Sequence, residues 1–480
     1  MTVKTLLLNA TALSGAKIVA MASQILILPI IARYLAPEEF GIVALAMTFV
    51  MFTMAITDAG LGSSLVRTGK HDNRVWSSAF WFVGSLGLGM GGLLAVLSPF
   101  VGWWYGEPEL QSLLLALGIV PVLQGMLAVP QAEMQKRGAI PQIAVGELLG
   151  TFAGMAAAIW VATEGGGAWA LVSQQLVFWS ARSFNIIYTT KFRPEWTFSW
   201  SALGDHLRFG RDTVGFALVR FALRQSHNLI IAKLLGAYPL GIYSMATRFA
   251  NLPTDVVGGP VFYSLYAQLA AMRGDKAAMR HTILSVSRLL AIVIFAPMAL
   301  VAAGGEAFFT LFLSEKWSAV AIVFLLIAPA GALQGIAILY STVLMATGQT
   351  GLRLRIAAEM AVYWLVLLFC AIPFGIETVA VANTFWFLSY FPRLTRLFLN
   401  GIDCSRKAYV RVLVTPAIIA VITALGHNLL TAATGLSGGG EIALLAVELM
   451  VAWGLTVLIE KQKIAEDTRY LRTIIAAYAR

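Results

Sequence analysis

Charged residues are scarce in this sequence. Asp, Glu, Lys and Arg make up only 12% of its 480 residues, whereas hydrophobic residues make up 59%. A soluble domain carries roughly 25% charged residues, so this composition excludes an ordinary water-soluble fold. Apolar runs of about 20 residues recur along the whole chain, and each is long enough to cross ~30 Å of hydrocarbon as a helix. The sequence therefore predicts an all-α integral membrane protein.

Cysteine and histidine are also rare, with two and five residues. The histidines are scattered along the chain, so neither a disulfide framework nor a metal site is expected. Nucleophile motifs, phosphate-binding loops and dinucleotide fingerprints are missing from the sequence. We therefore expect no enzyme activity and no cofactor.

An internal repeat is present instead. Residues 230–246 repeat residues 30–46, with seven of the seventeen positions identical. Each copy contains the end of one apolar run, a short loop and the start of the next run. In membrane proteins, such duplication is typical of transporters with two lobes around one central site.

We predict about fourteen membrane-spanning helices, grouped as six, six and two. They are centred on runs 11–33, 41–63, 77–103, 110–130, 142–162, 168–188, 213–235, 241–269, 283–303, 319–347, 356–373, 377–392, 411–426 and 441–460. The predicted organisation is an N-terminal lobe of six helices, a cytoplasmic interfacial linker, a pseudo-symmetric C-terminal lobe of six helices, and two extra helices with an amphipathic cytoplasmic tail. These segments cover residues 1–190, 191–211, 212–400 and 401–480.

The basic residues predict the orientation, because short cytoplasmic loops accumulate Lys and Arg. If both termini are cytoplasmic, 25 of the 34 Lys and Arg fall in inside segments, and one, Lys316, falls in an outside loop. The formal charge of +10 is therefore assigned to membrane topology, and we expect no nucleic-acid partner. The predicted outside loops are too short to hold a folded domain.

Eight basic residues remain inside the spans or at their edges. Arg33, Arg182 and Lys233 lie near span ends, where long side chains reach the interface, so we interpret them as structural. Arg288 fits either a structural or a functional interpretation. The other four lie deeper, where a charge costs about 2.5 to 3.5 kcal/mol and normally faces water or a partner. They are Lys17, Arg220, Arg224 and Arg248.

These deep cations predict an anion-binding cavity. Arg220, Arg224 and His227 share one face of the seventh span, and Asn228 borders it. The repeat aligns Gln24 of the first span with Arg224, so both lobes present a polar group at the same depth. A phosphate or pyrophosphate is the simplest ligand, because Arg binds such groups bidentately.

The alternative is that the deep cations pair with acids inside the membrane. Candidate acids are Asp58, Asp255, Glu147, Glu359 and Glu448. Asp58 and Asp255 each follow a Thr near the middle of a span, and could instead bind a coupling ion.

Two stretches resemble a known family. Leu35–Ala46, LAPEEFGIVALA, resembles the characteristic corner of the Wzx-type polysaccharide-transporter flippases, which belong to the multidrug/oligosaccharidyl-lipid/polysaccharide exporter superfamily. Asn228–Arg273 resembles the same flippases more closely, and the likeness extends over essentially the whole chain.

The resemblance implies a monomeric transporter in the bacterial cytoplasmic (inner) membrane. It would export polyprenyl-pyrophosphate-linked oligosaccharide by alternating access, for exopolysaccharide, capsule or O-antigen assembly. A polysaccharide polymerase and chain-length machinery would be its partners. The four deep cations would hold the pyrophosphate and sugars. Relatives often carry Asp where this chain has His227, so ion coupling at that position is in doubt.

Two other functions remain open at this point. A multidrug exporter of the same superfamily would move cations, which a basic cavity repels. A membrane polysaccharide polymerase would be expected to have a large outside loop or a soluble catalytic domain, and neither is predicted.

Overall fold

The computed structural model describes residues 3–57, 60–67, 72–272 and 274–478. Every regular element within these ranges is helical, so the all-α prediction is confirmed. The helices are α1 (Val3–Tyr34), α2 (Pro37–Thr57), α3 (Leu61–Arg67), α4 (Asn73–Tyr105), α5 (Pro108–Leu117), α6 (Ile119–Arg137), α7 (Ile140–Thr163), α8 (Trp169–Thr189), α9 (Trp200–Leu235), α10 (Ala237–Ala271), α11 (Lys276–Ala303), α12 (Gly305–Phe312), α13 (Ala319–Ala346), α14 (Thr350–Ala371), α15 (Ile376–Asn400), α16 (Arg406–Thr434), α17 (Gly439–Ile459) and α18 (Lys461–Tyr478).

Each predicted span lies on one helix or on two consecutive helices. The second span is shared by α2 and α3, and the fourth by α5 and α6, which meet at Gly118. Within the described ranges, nine helices are long and apolar enough to cross a membrane. The chain is thus a multi-pass membrane protein, while the count of fourteen spans stays a prediction.

The seventh predicted span is longer than its apolar run. Within the predicted interfacial linker of residues 191–211, residues 191–199 lack regular secondary structure, and α9 begins at Trp200 and continues without a break into the span. Two serines of α4 hold this segment, because Ser77 Oγ accepts from Glu195 N at 2.9 Å and Ser78 Oγ accepts from Ser199 N at 3.0 Å. No proline follows to end the helix, so it extends from Trp200 to Leu235.

The chain divides into two compact units, Met1–Gly241 and Ile242–Arg480. In the first unit, α7 packs against α1 and α8, α4 packs against α6, and α9 packs against α2, α3 and α4. The seventh predicted span therefore belongs to the compact unit that contains the first six. The boundaries of the two predicted lobes stay a prediction.

Glycines allow the helices of the first unit to approach closely. A Cβ on Gly150 would lie 2.8 Å from the carbonyl oxygen of Phe178 on α8, and a Cβ on Gly87 would lie 2.5 Å from that of Pro121 on α6. Small residues are common where membrane helices meet. The hydrophobic effect does not drive helices together inside lipid, so their association depends on close packing of the backbones.

The two copies of the repeat meet in this unit through equivalent glycines. A Cβ on Gly41 would overlap the carbonyl oxygen of Ala237, and a Cβ on Gly241 would overlap that of Pro37. Pro37 and Ala237 are themselves equivalent positions of the repeat. The start of α2 and the start of α10 therefore cross in a symmetric contact that has no room for a side chain.

In the second unit, α11 packs against α13, α16, α17 and α18. Arg288 on α11 fixes the tail helix, since its Nη1 lies 2.6 Å from Asp467 Oδ2 and its Nε lies 3.4 Å from Glu460 Oε2. Ser285 Oγ donates to Asp467 Oδ1 at 2.6 Å. Of the two interpretations left open for Arg288, this geometry supports the structural one.

The glycine contact makes a prediction for stability. Gly41→Ala should lower the thermal unfolding midpoint of the purified protein, because the new methyl group must displace backbone atoms of α10. Overpacking of this kind costs about 1 to 3 kcal/mol.

Gly89→Ala is the matched control, since nothing lies within 4 Å of a Cβ on this α4 glycine. The control should leave the midpoint unchanged or raise it slightly, because Ala favours helix. Equal midpoints for the two variants would contradict the close crossing.

Candidate functional site

Two of the predicted site residues of the first unit have exposed side chains. Arg224 on α9 is exposed, and so is Gln24 on α1. Among the described residues, no carboxylate lies within ion-pair distance of Arg224. If α9 spans the membrane as predicted, this guanidinium needs water or an anion beside it.

Three of the predicted site residues cannot be placed in the same detail. Asp58 lies outside the described residues. The backbones of Lys17 and Arg220 belong to α1 and α9, but their side chains lie outside the described part of the structure. Their roles stay predictions.

Asn228 links α9 to α2. Its Nδ2 donates to Thr48 Oγ1 at 3.2 Å and to Gln225 Oε1 at 3.0 Å. The next residue toward the N-terminus, His227, is half-buried. Asn228 therefore holds the helix that carries Arg224 in a fixed position, which is a positioning role.

In the second unit, Arg248 and Asp255 are both exposed on α10. They are two helical turns apart on one face of the helix, and the carboxylate of Asp255 attracts the guanidinium of Arg248 electrostatically. This attraction is in keeping with the pairing alternative for Arg248, and the role of Arg248 stays a prediction.

The other acids considered as partners for the deep cations pair elsewhere. Glu147 lies 3.3 Å from Arg182, Glu359 lies 2.8 Å from Arg393, and Glu448 lies 2.8 Å from His427. Three of the five candidate acids are therefore engaged by residues that the sequence did not connect to them.

Arg182 is a further polar residue of the first unit, and its contacts support the structural interpretation made from the sequence. Its side chain is only 15% exposed rather than extended to the interface. Nη2 donates to Gln131 Oε1 at 3.0 Å, and the guanidinium carbon lies 5.2 Å from the ring centre of Trp179. A position near a span end does not reveal which face of a helix a residue occupies, so the sequence alone gave no signal for these contacts.

Arg182 and Trp179 border a polar cavity of about 200 Å³. The lining residues are Gly62, Ser63, Gln124, Leu127, Ala128, Gln131, Ala132, Gln135, Trp179 and Arg182. The Oε1 atom of Gln124 is buried without a hydrogen-bond partner among the described residues. Amides that both donate and accept, together with an aromatic ring, suit a ligand rich in hydroxyl groups.

The second unit contains an apolar groove of about 430 Å³ between α11, α13 and α16. It is lined by Phe295, Met298, Ala299, Ala302, Ala303, Leu325, Ala328, Pro329, Ala332, Leu333, Ala417, Ala420, Val421, Ala424, Leu425 and Asn428. Small alanines leave the space open, and Asn428 is the one polar side chain in the lining. Such a groove suits a hydrocarbon chain.

The loops at one end of the first unit are acidic. Burial raises the pKa of Glu107, and the charges of Glu38 and Glu109 raise it further. Burial and the charge of Glu39 likewise raise the pKa of Glu109. These four carboxylates repel one another, so this end of the unit disfavours anions.

The contact between Arg182 and Glu147 predicts a coupling energy. Arg182→Gln alone leaves Glu147 without its cation in a half-buried site, and Glu147→Gln alone leaves Arg182 without its anion. Removal of one partner of a fully buried pair costs about 3 to 5 kcal/mol, and these partly accessible groups should lose less, about 1 to 3 kcal/mol.

The double variant Arg182→Gln/Glu147→Gln should recover most of that loss in thermal unfolding of the purified protein. Strictly additive losses would show that the two side chains do not interact.

The comparisons with known proteins agree with the resemblance drawn from the sequence. Residues 30–322 match a family described as "Polysaccharide biosynthesis protein". Over 270 residues, the chain is 31% identical to the succinoglycan biosynthesis transport protein ExoT of Rhizobium meliloti (strain 1021), which covers 56% of this chain and 54% of that protein. Over 353 residues, it is 22% identical to the lipopolysaccharide biosynthesis protein WzxC of Escherichia coli (strain K12), covering 72% of this chain and 71% of that protein.

The fold has a counterpart among solved structures. It is similar to that of the lipid II flippase MurJ in an inward closed conformation, with a TM-score of 0.73 and 12% identity over 95% of this chain and 100% of that one. This likeness shows the fold alone, and the matched part spans about half the length of the ExoT protein. Because the matched family region covers more than half of the chain, the protein belongs to the polysaccharide biosynthesis protein family.

Proposed function

We propose that this protein is a flippase for polyprenyl-pyrophosphate-linked oligosaccharide, which it moves from the cytoplasmic to the outer leaflet of the bacterial inner membrane. The glycan serves exopolysaccharide, capsule or O-antigen synthesis. The observation that carries the proposal is Arg224, an exposed cation on the helix of the seventh predicted span, which has no ion-pair partner among the described residues of this polysaccharide biosynthesis protein.

An anionic head group accounts for Arg224. A guanidinium in a spanning helix is costly unless water or an anion solvates it. A pyrophosphate accepts two hydrogen bonds from one Arg side chain. These bonds would replace the water that the pyrophosphate loses when it enters the site. Lys17, Arg220 and Arg248 are the further cations proposed to contact the head group, and Gln24 and His227 are proposed to add polar contacts.

The remaining parts of such a substrate have matching chemistry in the chain. The cavity beside Arg182 offers amides and an aromatic ring to sugar hydroxyls. The groove between α11, α13 and α16 offers an apolar surface to a polyprenyl chain. The chemistry of each surface, taken within its own unit, thus suits one part of a lipid-linked glycan.

The direction of transport follows from the charges. With both termini cytoplasmic, the basic loops face the cytoplasm, where they attract the anionic substrate. The acidic end formed by Glu38, Glu39, Glu107 and Glu109 then lies outside, where it disfavours rebinding of the released head group. The two lobes alternate in access, the lipid tail stays in the bilayer, and Asp58 or Asp255 is the proposed site of a coupling ion.

The transporter is proposed to act as a monomer, beside a polymerase and chain-length machinery that consume the exported glycan. A multidrug exporter is the weaker candidate, because its cationic substrates would be repelled by the exposed cation Arg224. The chain is a transporter and not an enzyme, in keeping with its relatives, one of which is named a transport protein.

The role of Arg224 can be tested by substitution. Arg224→Ala should abolish or strongly reduce export of the lipid-linked glycan at an unchanged level of membrane-inserted protein, because the head group loses its cation. Arg224→Lys should retain part of the activity, since it keeps the charge and loses the bidentate geometry. Full export by Arg224→Ala would remove this residue from the site.

Arg33→Ala is the matched control. Arg33 is an exposed arginine at the end of α1, so its loss should be nearly silent. Severe loss of export with normal protein levels would show that the interfacial interpretation of Arg33 is wrong.

A further inference from the structure

A buried histidine lies between two carboxylates in the second unit. His427, on α16, has no exposed surface. Its Nδ1 lies 2.8 Å from Glu448 Oε2, and its Nε2 lies 3.3 Å from Glu441 Oε1. Both glutamates stand on one face of α17, two helical turns apart. We refer to His427, Glu441 and Glu448 as the His427 triad.

The triad is closed on one side and open on the other. Glu448 is buried, and Gly304 at the end of α11 covers the ring so closely that a Cβ there would lie 2.9 Å from Nε2 of His427. Glu441 is 18% exposed and lies in the first turn of α17, next to the exposed loop of residues 435–438. Glu441 is therefore the most exposed member of the triad.

The other titratable groups of the packed helices lie elsewhere. On α12, Glu306 is exposed near the same end of the unit. The titratable groups of α11, the helix that covers the ring, all lie in its first half, away from Gly304. The titratable groups of α16 and α18 lie at the ends of these helices that are far from the triad. These groups are Lys276, Arg280, His281 and Arg288 on α11; Arg406, Lys407, Tyr409 and Arg411 on α16; Glu377, Tyr390, Arg393 and Arg396 on α15; and Glu460 with Lys461, Lys463, Glu466, Asp467, Arg469, Tyr470 and Arg472 after α17. The charge state of the triad thus depends mainly on its own three side chains.

Counting hydrogens shows that a neutral imidazole and two ionised carboxylates supply only one of the two hydrogens that the contacts of the triad require. A neutral imidazole has a single N–H, and an ionised carboxylate can only accept. Both ring nitrogens face carboxylate oxygens, so one contact lacks a hydrogen unless an extra proton sits on the ring or on a carboxyl group. Without it, two lone pairs face each other inside the protein, which is strongly unfavourable.

The geometry argues against a bound metal ion in place of the additional proton. The two ring nitrogens point in opposite directions, so one ion cannot contact both carboxylates through them. Within the described ranges, no cluster of three His, Cys, Asp or Glu side chains is arranged to hold a metal ion.

We propose that the His427 triad is a proton-binding site that joins α16 to α17. A proton enters from water at Glu441, and the filled chain Glu441, His427, Glu448 is hydrogen-bonded at both ring nitrogens. When the proton leaves, one contact becomes repulsive and the two helices lose their main polar link. The site lies outside residues 30–322, the region shared with the family, and it does not depend on which substrate is moved.

The proposed site predicts the direction in which stability changes with pH. The folded triad binds one proton that the unfolded chain releases on passing from acid to neutral pH, so stability falls as pH rises. Thermal unfolding of the purified full-length protein in detergent should show a midpoint that drops by several degrees from about pH 6 to about pH 9. A midpoint that stays level or rises over this range overturns the proposal without any variant.

Glu448→Gln supplies the missing hydrogen permanently. The amide N–H can donate to Nδ1 of a neutral ring, whose Nε2–H then donates to Glu441, so no titrating proton is needed. This variant should keep the stability of the wild type near pH 6 and should lose most of the drop toward pH 9. Glu441→Gln should have the same effect through the other ring nitrogen. It replaces Glu448→Gln in the experiment if that variant does not fold.

Glu306→Gln is the control for a carboxylate outside the triad on a neighbouring helix. It should retain the full pH dependence of the wild type. The proposal is wrong if both glutamine variants of the triad keep the wild-type slope, or if Glu306→Gln removes the slope as completely as they do.

Discussion

The cost of placing a charge in hydrocarbon governs how this chain uses its few ionisable residues. Each charged side chain within the apolar helices must find a partner or water. Arg182 pairs with Glu147, Arg288 with Asp467 and Glu460, and His427 with two glutamates. Arg224 has no such carboxylate among the described residues, and this contrast makes it the residue on which the proposed site depends.

Small residues are the second constraint, since membrane helices can approach only as far as their side chains permit. The duplicated corner is the clearest case, because Gly41 and Gly241 occupy equivalent positions and each excludes a side chain against the other copy. The identity that reveals the repeat in the sequence thus has a direct steric reason. The isoleucines and alanines around it could match by composition, whereas the glycines could not be exchanged.

The sequence predicted the helical class and the course of the spans because hydropathy and length are local properties. Local patterns cannot report which face of a helix meets another, and this is why Glu147 and Gln131 were not identified as the partners of Arg182. Partners distant in sequence were missed for the same reason, including Asp467 for Arg288 and His427 for Glu448. The extension of α9 before its apolar run was also missed, because amphipathic residues 200–211 can form either a surface helix or the first turns of a longer one. The duplication was readable, since it depends only on position along the chain.

The central claim is that this protein carries a lipid-linked glycan across the membrane. The most direct measurement is the leaflet distribution of polyprenyl-pyrophosphate-linked glycan in a strain that lacks the gene. If the protein is the flippase, the glycan accumulates on the cytoplasmic leaflet and surface polysaccharide is lost. The intact protein then reverses both changes. Normal surface glycan in a deletion strain with no substitute exporter, together with new sensitivity to cationic drugs, would contradict it.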